Sequence, residues 1–264
     1  MRPSEFMQDD EGRYWVSQTA LNRFRMCPEK ARAHWRGETL DPPGPAAILG
    51  SAVHAAMEAQ FTGANVSSSI AEAVVKEWTD DLDFTHTDWP TPGRVVLGAG
   101  RAYESLSKAL GPISPLGVEQ ELKSPYSARL GFRGALDLVL DQRPGLMIID
   151  YKASASQKYW GRSSWELQRY AVQPTVYMWL AAQAFGLRLD QVGWNFAVVN
   201  PKNLDVKLLP ITRTGHDVGR AAAEAEAAIA IWESPLTIWP LRTDGWWCSQ
   251  KWCPHHSTCP GGNA

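Results

Sequence analysis

The stretch IIDYKAS, residues 148–154, places an acid and a lysine two residues apart, Asp150 and Lys152. Side chains at this spacing on a β-strand point to the same face, so the carboxylate and the ammonium would share one small patch. A weak surface ion pair is the ordinary explanation, and two other acid-x-lysine pairs occur in the chain. Only Asp150, however, follows a continuous apolar run, residues 146–149. Charges at the end of a buried strand indicate a functional site.

A second acid is expected beside Asp150. Two predicted strands, residues 130–140 and 145–152, are joined by the turn sequence DQRPG and form a hairpin. When the turn is centred near Arg143, Asp137 lies nearly opposite Asp150. Directly opposed residues of an antiparallel pair have Cβ atoms about 4.5–5.5 Å apart, so the hairpin brings two carboxylates together.

The opposed carboxylates of Asp137 and Asp150 repel each other unless a proton or a cation lies between them. Oxygen ligands of this kind suit Mg²⁺ or Mn²⁺, which keep several waters and take one or two carboxylates. Glu119, on the preceding predicted strand, is a further candidate acid. Beside a metal and a phosphate, the Lys152 ammonium can stabilise developing negative charge or orient an attacking water. The alternative is that the two aspartates only solvate the edge of the hairpin.

The surrounding sequence predicts a mixed α/β arrangement of elements. A helix over residues 17–36 has Ser17 as its N-cap and is interrupted at Pro28. Residues 153–163 are polar and are expected to form a loop. Further helices are expected at 46–62, 68–80, 92–110, 165–185 and 214–233. Besides the hairpin, strands are expected at 117–123, 191–199 and 204–210.

Length and composition favour one globular domain, residues 1–264. No apolar run approaches the roughly 20 residues that a membrane span needs. The N-terminus is polar and acidic, unlike a secretory signal, so we expect a soluble cytoplasmic protein without a membrane partner. The net charge of −2 argues against a strongly basic nucleic-acid coat but leaves room for a local basic groove.

Basic and aromatic residues near the predicted core are candidates for such a groove. Lysine and arginine neutralise phosphates, and aromatic rings stack on unpaired bases. The alternative is an ordinary solvated loop face. The candidates are Arg129, Arg133, Lys158, Arg162, Arg169, Tyr159, Trp160 and Trp165.

Four cysteines form a candidate soft-ligand site, with one near the start of the chain and three near its end. Structural disulfides are not expected in a reducing cytosol. Three interpretations stay open on the spacing alone: free buried thiols, a tetrahedral zinc site that could also use His255 or His256, and a Cys₄ iron–sulfur cluster. The cysteines are Cys27, Cys248, Cys253 and Cys259.

The residues of the hairpin resemble the signature of the PD-(D/E)XK nuclease superfamily. GALD, residues 134–137, comes first, and an apolar strand ending in IDYK, residues 149–152, follows. Leu136 stands where the name of the superfamily has a proline.

Three further motifs make the chain resemble the RecB-type branch of that superfamily. GSAVH, residues 50–54, matches a G-x-x-x-H helix motif, and QPTVY, residues 173–177, matches a Q-x-x-x-Y motif. SQTALNRFRMCP, residues 17–28, resembles the opening helix that carries the first cluster cysteine. The resemblance covers about residues 17–259.

The resemblance implies a restriction-endonuclease-like α/β fold, with a central mixed β-sheet flanked by helices. It implies a single nuclease domain with a mainly helical N-terminal part, a catalytic core, and a C-terminal helix followed by a cysteine-rich segment. These parts correspond to residues 17–115, 116–212 and 213–264.

The resemblance also implies roles for the site residues. Lys152 would be catalytic, and Gln173 and Tyr177 would shape the DNA path and steady the site. The ligands of Mg²⁺ or Mn²⁺ would be His54, Asp137, Asp150 and the main-chain carbonyl of Tyr151.

The implied activity is that of a metal-dependent deoxyribonuclease, with exonuclease action on single-stranded or free-ended DNA. The chain has no Walker A motif, so a helicase or recombination partner would be a separate protein. The alternative is a catalytically silent protein that binds DNA ends as an adaptor. The complete set of charged site residues favours the enzyme, because a silent protein has no need of charges that repel.

The cysteine layout is similar to that of AddB-type and CRISPR-associated adaptation nucleases. This resemblance implies that Cys27, Cys248, Cys253 and Cys259 hold a structural 4Fe-4S cluster, with Zn²⁺ as the alternative. Four residues separate Cys248 from Cys253, where two is usual in those relatives.

Overall fold

A computed structural model shows the architecture and describes residues 6–38, 44–79, 89, 91–161, 167, 171–245, 247–250 and 252–262. Among these residues, seven strands form one mixed sheet with helices on both faces. The expected α/β fold, a central mixed sheet flanked by helices, is confirmed. The strands are β1 (Phe6–Gln8), β2 (Tyr14–Ser17), β3 (Pro115–Pro125), β4 (Leu130–Gln142), β5 (Gly145–Ala153), β6 (Val192–Val199) and β7 (Val206–Ile211).

The long strand β4 organises the sheet. Strand β3 runs antiparallel to it and occupies one of its edges over residues 131–140. Two strands share the other edge: β2 pairs in parallel with residues 130–133, and β5 pairs antiparallel with residues 138–142. Residues 134–137 therefore lie between these two neighbours. Beyond β5, the sheet continues through the parallel strand β6 to the antiparallel strand β7.

The β4–β5 hairpin has the predicted register. Leu138 pairs with Ile149, and the preceding pairs run back to the turn without a shift. The next position on the two strands is occupied by Asp137 and Asp150. The position of the turn in the sequence was therefore sufficient to align the two acids.

Helices cover both faces of the sheet. Ser17 caps the first helix by accepting a hydrogen bond from the N–H of Ala20, and Pro28 begins the second, because proline is tolerated in the first turn. The predicted interruption at Pro28 is confirmed. Within the described ranges, no helix has both the length and the apolar character that crossing a bilayer requires. The helices are α1 (Gln18–Met26), α2 (Pro28–Trp35), α3 (Pro45–Thr62), α4 (Val66–Glu77), α5 (Pro92–Leu110), α6 (Gln157–Trp160), α7 (Val172–Phe185) and α8 (Gly215–Glu233).

Alternation along β5 divides the apolar side chains between two cores. Leu146 and Ile148 join a cluster with α1, α2, α7 and α8. Ile149 and Tyr151 join a second cluster with α3, α4 and α5. Because successive strand residues point to opposite faces, each face of the sheet has its own helical layer. The site is therefore reached by α3 from one face and by α7 from the other.

Residues 6–17 form a hairpin, β1–β2, that the sequence pattern did not predict. Its strands are only three and four residues long, so alternation is hard to recognise. The turn is held by Asp9, whose carboxylate accepts hydrogen bonds from the N–H groups of Glu11 and Arg13 and from the Trp15 indole. Besides β1, β2 pairs with β4, more than a hundred residues later in the chain.

Two other predicted segments differ from the structure in detail. The expected loop at residues 153–163 contains the short helix α6. The helix expected at residues 165–185 is described from Val172 onwards, and most of its predicted first turn lies outside the described residues.

A buried ion pair joins α2 to the C-terminal segment. Glu29 is 1% exposed and accepts hydrogen bonds of 2.7–3.0 Å from the Arg32 guanidinium and of 2.8 Å from the main-chain N–H of Trp239. The Nε2 atom of His255 lies 3.3 Å from the same carboxylate. Burial acts to raise the pKa of Glu29, but the bonds from Arg32 and Trp239 outweigh it, so the net shift is downward. We call these four residues the Glu29 clasp.

Replacing Glu29 by alanine should lower the free energy of unfolding by about 3–5 kcal/mol, because the buried Arg32 guanidinium loses its main partner. Urea titration followed by tryptophan fluorescence measures this loss. Asp190→Ala is the matched control, since the Arg188–Asp190 pair is exposed at 77% and 66% and its loss should change the free energy of unfolding far less. Equal losses in the two variants would contradict a stabilising role of the clasp.

Candidate active site

The candidate site lies at residues 134–137 of β4, the stretch between the segments that pair with β2 and with β5. The last ladder pair joins Leu138 to Ile149. One position further, the carboxylate of Asp137 accepts a hydrogen bond of 2.8 Å from the main-chain N–H of Tyr151. A side chain thus takes the place of the next main-chain bond between the strands. The separation brings a buried carboxylate, 7% exposed, into the opening.

Glu119 approaches Asp137 from the opposite edge of β4. It lies between the ladder pairs Val118–Leu138 and Gln120–Leu136, so its position on β3 is opposite Asp137. Its φ of 46° is in the left-handed region, which is strained for a non-glycine residue. Strain of this kind is retained where the surrounding structure enforces it, commonly at functional sites.

His54 completes a cluster with these two acids. Its Nε2 donates to the carbonyl of Tyr151 over 3.0 Å, and its Nδ1 lies 3.4 Å from Asp137 and 3.7 Å from Glu119. One ligand atom from each of His54, Glu119 and Asp137 lies within 4.8 Å of the other two. Among the described residues, this is the single set of three acids, histidines or cysteines with such spacing.

The charges within the cluster shift its titration. Burial acts to lower the pKa of His54, but the negative charge of Asp137 and the bond to Glu119 raise it to about 9. Burial, followed by the charge of Asp150, raises the pKa of Asp137. Both shifts have the same origin, an excess of negative charge in a place with little water. A divalent cation would offset that excess.

The donor set is suited to a hard divalent cation. Two carboxylates and one imidazole nitrogen converge, and the Tyr151 carbonyl is adjacent to them. Oxygen-rich sets of this kind suit Mg²⁺ and Mn²⁺. The residues present therefore fit the type of metal that the sequence predicted.

Asp150 lies beside this set of three rather than within it. It is 1% exposed, forms an ion pair with Lys152, and accepts a hydrogen bond of 2.5 Å from the Nε2 of Gln173. The sequence had grouped Asp150 with His54 and Asp137 as ligands, with Glu119 as a supplementary acid. In the structure Glu119 is the closer third member, while Asp150 is engaged by its neighbours.

Lys152 contributes a positive charge at the edge of the cluster. Burial acts to lower its pKa, but the carboxylates of Asp150 and then Asp137 outweigh that effect, and the net shift is upward. Its Nζ also lies 5.8 Å from the centre of the Phe196 ring. Lys152 is thus held as an ammonium, which suits it to stabilising negative charge.

Tyr177 supports the site from α7 without touching the cluster. Its ring lies directly on the backbone of Gly134, where a Cβ atom would come within 2.3 Å of the ring. The Tyr177 hydroxyl interacts with Gln18, and burial raises its pKa. The two predicted residues therefore make different contacts. Gln173 donates a hydrogen bond to Asp150, and Tyr177 packs on the strand that carries Asp137.

Arg213 is a supporting residue that the sequence analysis missed. It is 7% exposed and donates hydrogen bonds to the Thr175 hydroxyl at 2.7 Å and to the carbonyls of Ala171 and Leu167 at 2.9 and 3.2 Å. These contacts fix the start of α7, which carries Gln173. An arginine after a predicted strand gave no signal of this role.

The four cysteines converge on one pocket, which Lys30, His255 and His256 also line. Burial raises the pKa of both Cys248 and Cys253, and the neighbouring thiols add to the shift. All four are free cysteines in the described part of the chain, and four thiolates suit either tetrahedral zinc or an iron–sulfur cluster.

Several predicted nucleic-acid contacts are engaged elsewhere or cannot be assigned. Arg129 forms an ion pair with Glu233, Tyr159 is 5% exposed, and the Trp160 indole donates to the carbonyl of Ser154. Arg133 is partly exposed on β4 and contacts the sulfur of Met7. Four candidates or their side chains lie outside the described residues: Lys158, Arg162, Trp165 and Arg169.

The fold has counterparts among solved structures. The crystal structure of the "Putative exonuclease" of Eubacterium rectale superposes with a TM-score of 0.58 at 12% identity, covering 90% of this chain and 88% of that one. The crystal structure of SSO0001 gives a TM-score of 0.46 at 15% identity, with 97% and 89% covered. The former likeness concerns the fold alone.

The family assignment comes from the sequence itself. No curated protein matches the chain significantly. The family model of the PD-(D/E)XK nuclease superfamily, however, matches residues 15–260, nearly the whole chain. That span includes His54, Glu119, Asp137 and the Asp150–Lys152 pair. The chain belongs to the PD-(D/E)XK nuclease superfamily.

Proposed function

We propose that the chain is a Mg²⁺- or Mn²⁺-dependent deoxyribonuclease that acts as an exonuclease on single-stranded or free-ended DNA. The observation that carries this proposal is the convergence of His54, Glu119 and Asp137 within 4.8 Å, next to the Asp150–Lys152 ion pair. A cation site beside a fixed ammonium is suited to phosphodiester hydrolysis, in which negative charge grows on the phosphate.

The proposed ligands are His54, Glu119 and Asp137, with Asp150 and the Tyr151 carbonyl next to them. A bound Mg²⁺ or Mn²⁺ would supply activation of water and neutralisation of charge on the phosphate. His54 enters through Nδ1, because its Nε2 donates to the Tyr151 carbonyl. That bond fixes the orientation of the imidazole ring, as outer contacts of metal-binding histidines commonly do.

Lys152 is assigned a catalytic role and Gln173 a positioning role. The Lys152 ammonium would stabilise the negative charge that develops on the phosphate oxygens. Gln173 holds Asp150 by its amide N–H, and Asp150 in turn holds Lys152. Tyr177 acts one step further away, by packing on Gly134.

The four cysteines are proposed to hold a structural 4Fe-4S cluster. Support comes from their convergence on one pocket and from the number of thiolates that such a cluster needs. Such a cluster would join Cys27, between α1 and α2, to residues 248–259. We further propose that the chain works as one nuclease unit on DNA and that a helicase or recombination partner is a separate protein.

Replacing Asp137 by asparagine should raise the Mn²⁺ concentration needed for half-maximal DNA degradation by at least about tenfold. Asparagine has nearly the same size as aspartate but lacks the negative charge that binds the metal. Degradation of an end-labelled oligonucleotide across a Mn²⁺ series, with calorimetric titration of the metal, measures the change. Asp141→Asn is the control, since Asp141 is an exposed acid four residues further along β4.

A wild-type protein that binds DNA but leaves it intact in both Mg²⁺ and Mn²⁺ would reject the nuclease and favour the silent DNA-end adaptor. Unchanged metal dependence in Asp137→Asn would reject the ligand assignment while leaving the activity itself in place.

Replacing Lys152 by methionine should lower kcat by about 10²- to 10³-fold, the usual cost of removing a group that stabilises charge in the transition state. Steady-state kinetics on a labelled oligonucleotide, with Lys108→Met on the exposed face of α5 as the control, separates kcat from KM. A loss confined to KM would show that Lys152 only binds substrate.

Protein purified without oxygen should be brown and contain iron and acid-labile sulfide, and Cys27→Ser should lose both. Absorption spectroscopy together with metal and sulfide analysis tests this. Colourless protein with one zinc per chain would instead identify a zinc site.

A further inference from the structure

Two positive side chains face each other on the sheet surface that leads away from the candidate site. Lys123 of β3 pairs directly with Arg133 of β4. Paired residues of antiparallel strands project to the same face, with Cβ atoms about 4.5–5.5 Å apart, and like charges in this arrangement are destabilising. Such a pair, like the opposed acids of the site, is suited to a ligand of opposite charge.

Neither cation is neutralised by an acid among the described residues. The Lys123 ammonium lies 5.4 Å from the centre of the Trp15 ring, and the Arg133 guanidinium contacts the sulfur of Met7. The guanidinium of Arg13 lies 5.6 Å from the same Trp15 ring. Glu121, two residues before Lys123 on the same face of β3, is the single acid that lines the same groove, and within the described chain no ion pair joins it to Lys123 or Arg133. The positive charge therefore stays available to a ligand.

Lys123 and Arg133 line a groove of about 630 Å³. Ser17 and Thr19, at the N-terminal end of α1, form one wall, and Ala135 continues the floor towards Asp137. The ladder runs from the Lys123–Arg133 pair to Glu121–Ala135 and then to the level of Glu119 and Asp137. The cations and the acids are four positions apart on each strand, which is about 13 Å along the strands. The groove thus opens towards the candidate cation site.

A second groove, of about 760 Å³, also reaches the site, between different elements, and has the opposite charge. It runs between α3 and α4 to His54 and Glu119. Three further glutamates line it, against one lysine: Glu58, Glu72, Glu77 and Lys76. A polyanion is attracted into the first groove and repelled from the second.

We propose that the substrate strand is gripped on one side of the scissile phosphate only, by Lys123 and Arg133 in the β3–β4 groove. The acidic α3–α4 groove excludes the strand from the other side. The inference rests on the proposed nuclease function and explains why cleavage would occur near a free end. Cleavage at an internal phosphate would require the DNA strand to continue through the acidic groove. Cleavage near an end would place only a short product in that groove.

Binding tests the grip separately from the chemistry. The affinity for a fluorescently labelled single-stranded oligonucleotide is measured by anisotropy, without divalent metal, over a range of salt concentrations. Lys123→Ala and Arg133→Ala should each weaken binding and reduce the slope of log K against log salt by about 0.7, the share of one phosphate contact on a single strand. Lys108→Ala, in an exposed turn of α5, should leave the slope unchanged. Unchanged slopes in both groove variants would overturn the grip.

Degradation tests the one-sided arrangement. Wild-type protein with Mn²⁺ should degrade linear single-stranded DNA and leave circular single-stranded DNA intact. The Glu58→Gln/Glu72→Gln double variant should cut the circle at a measurable rate, because it lowers the charge barrier. Equal cleavage of circular and linear DNA by the wild type would overturn the exclusion. Failure of the wild type to degrade any DNA would reject the proposed function, whereas the binding slopes would still decide on the grip.

Discussion

The site depends on one interruption in the sheet. Strand β5 leaves β4 after the Leu138–Ile149 pair, and the Asp137 carboxylate takes over the N–H of Tyr151 that the ladder would otherwise have satisfied. A carboxylate can fill this position only where the strands separate, and buried N–H groups must find a partner. One hydrogen bond therefore both satisfies the Tyr151 N–H at the end of the ladder and places the Asp137 carboxylate in the site. Substitutions that restored regular pairing would remove the acid from the opening.

The helical layers on the two faces of the sheet each bring a different side chain to this opening. The layer of α3 brings His54 to the acids, and the layer of α7 brings Gln173 to Asp150. Each helix is held by its own hydrophobic cluster, so the side chains are fixed by packing on rigid elements rather than by loops. The buried Arg213 adds to this by fixing the start of α7. Precise placement of few polar groups thus depends on two large apolar cores.

The hairpin register and most helices could be predicted because their signals are local. A turn sequence fixes which strand residues face each other, and Pro28 marks a helix start. Other features depend on long-range contacts. Strand β2 pairs with a segment more than a hundred residues away, and the left-handed backbone of Glu119 occurs within the pairing of β3 with β4. The grouping of Glu119 rather than Asp150 with His54 depends on side-chain directions, which register alone does not give.

The Glu29 clasp has a consequence for synthesis of the chain. Glu29 lies on the second helix, yet two of its partners, Trp239 and His255, follow 210 and 226 residues later. Chains emerge from the ribosome with the N-terminal part first. Until residues 239–259 have emerged, α2 lacks these contacts to its buried glutamate, and Cys27 lacks the other cysteines. A nascent or truncated chain that lacks this segment is therefore left with an unfinished N-terminal layer, which would delay the appearance of activity until residues 239–259 have been made.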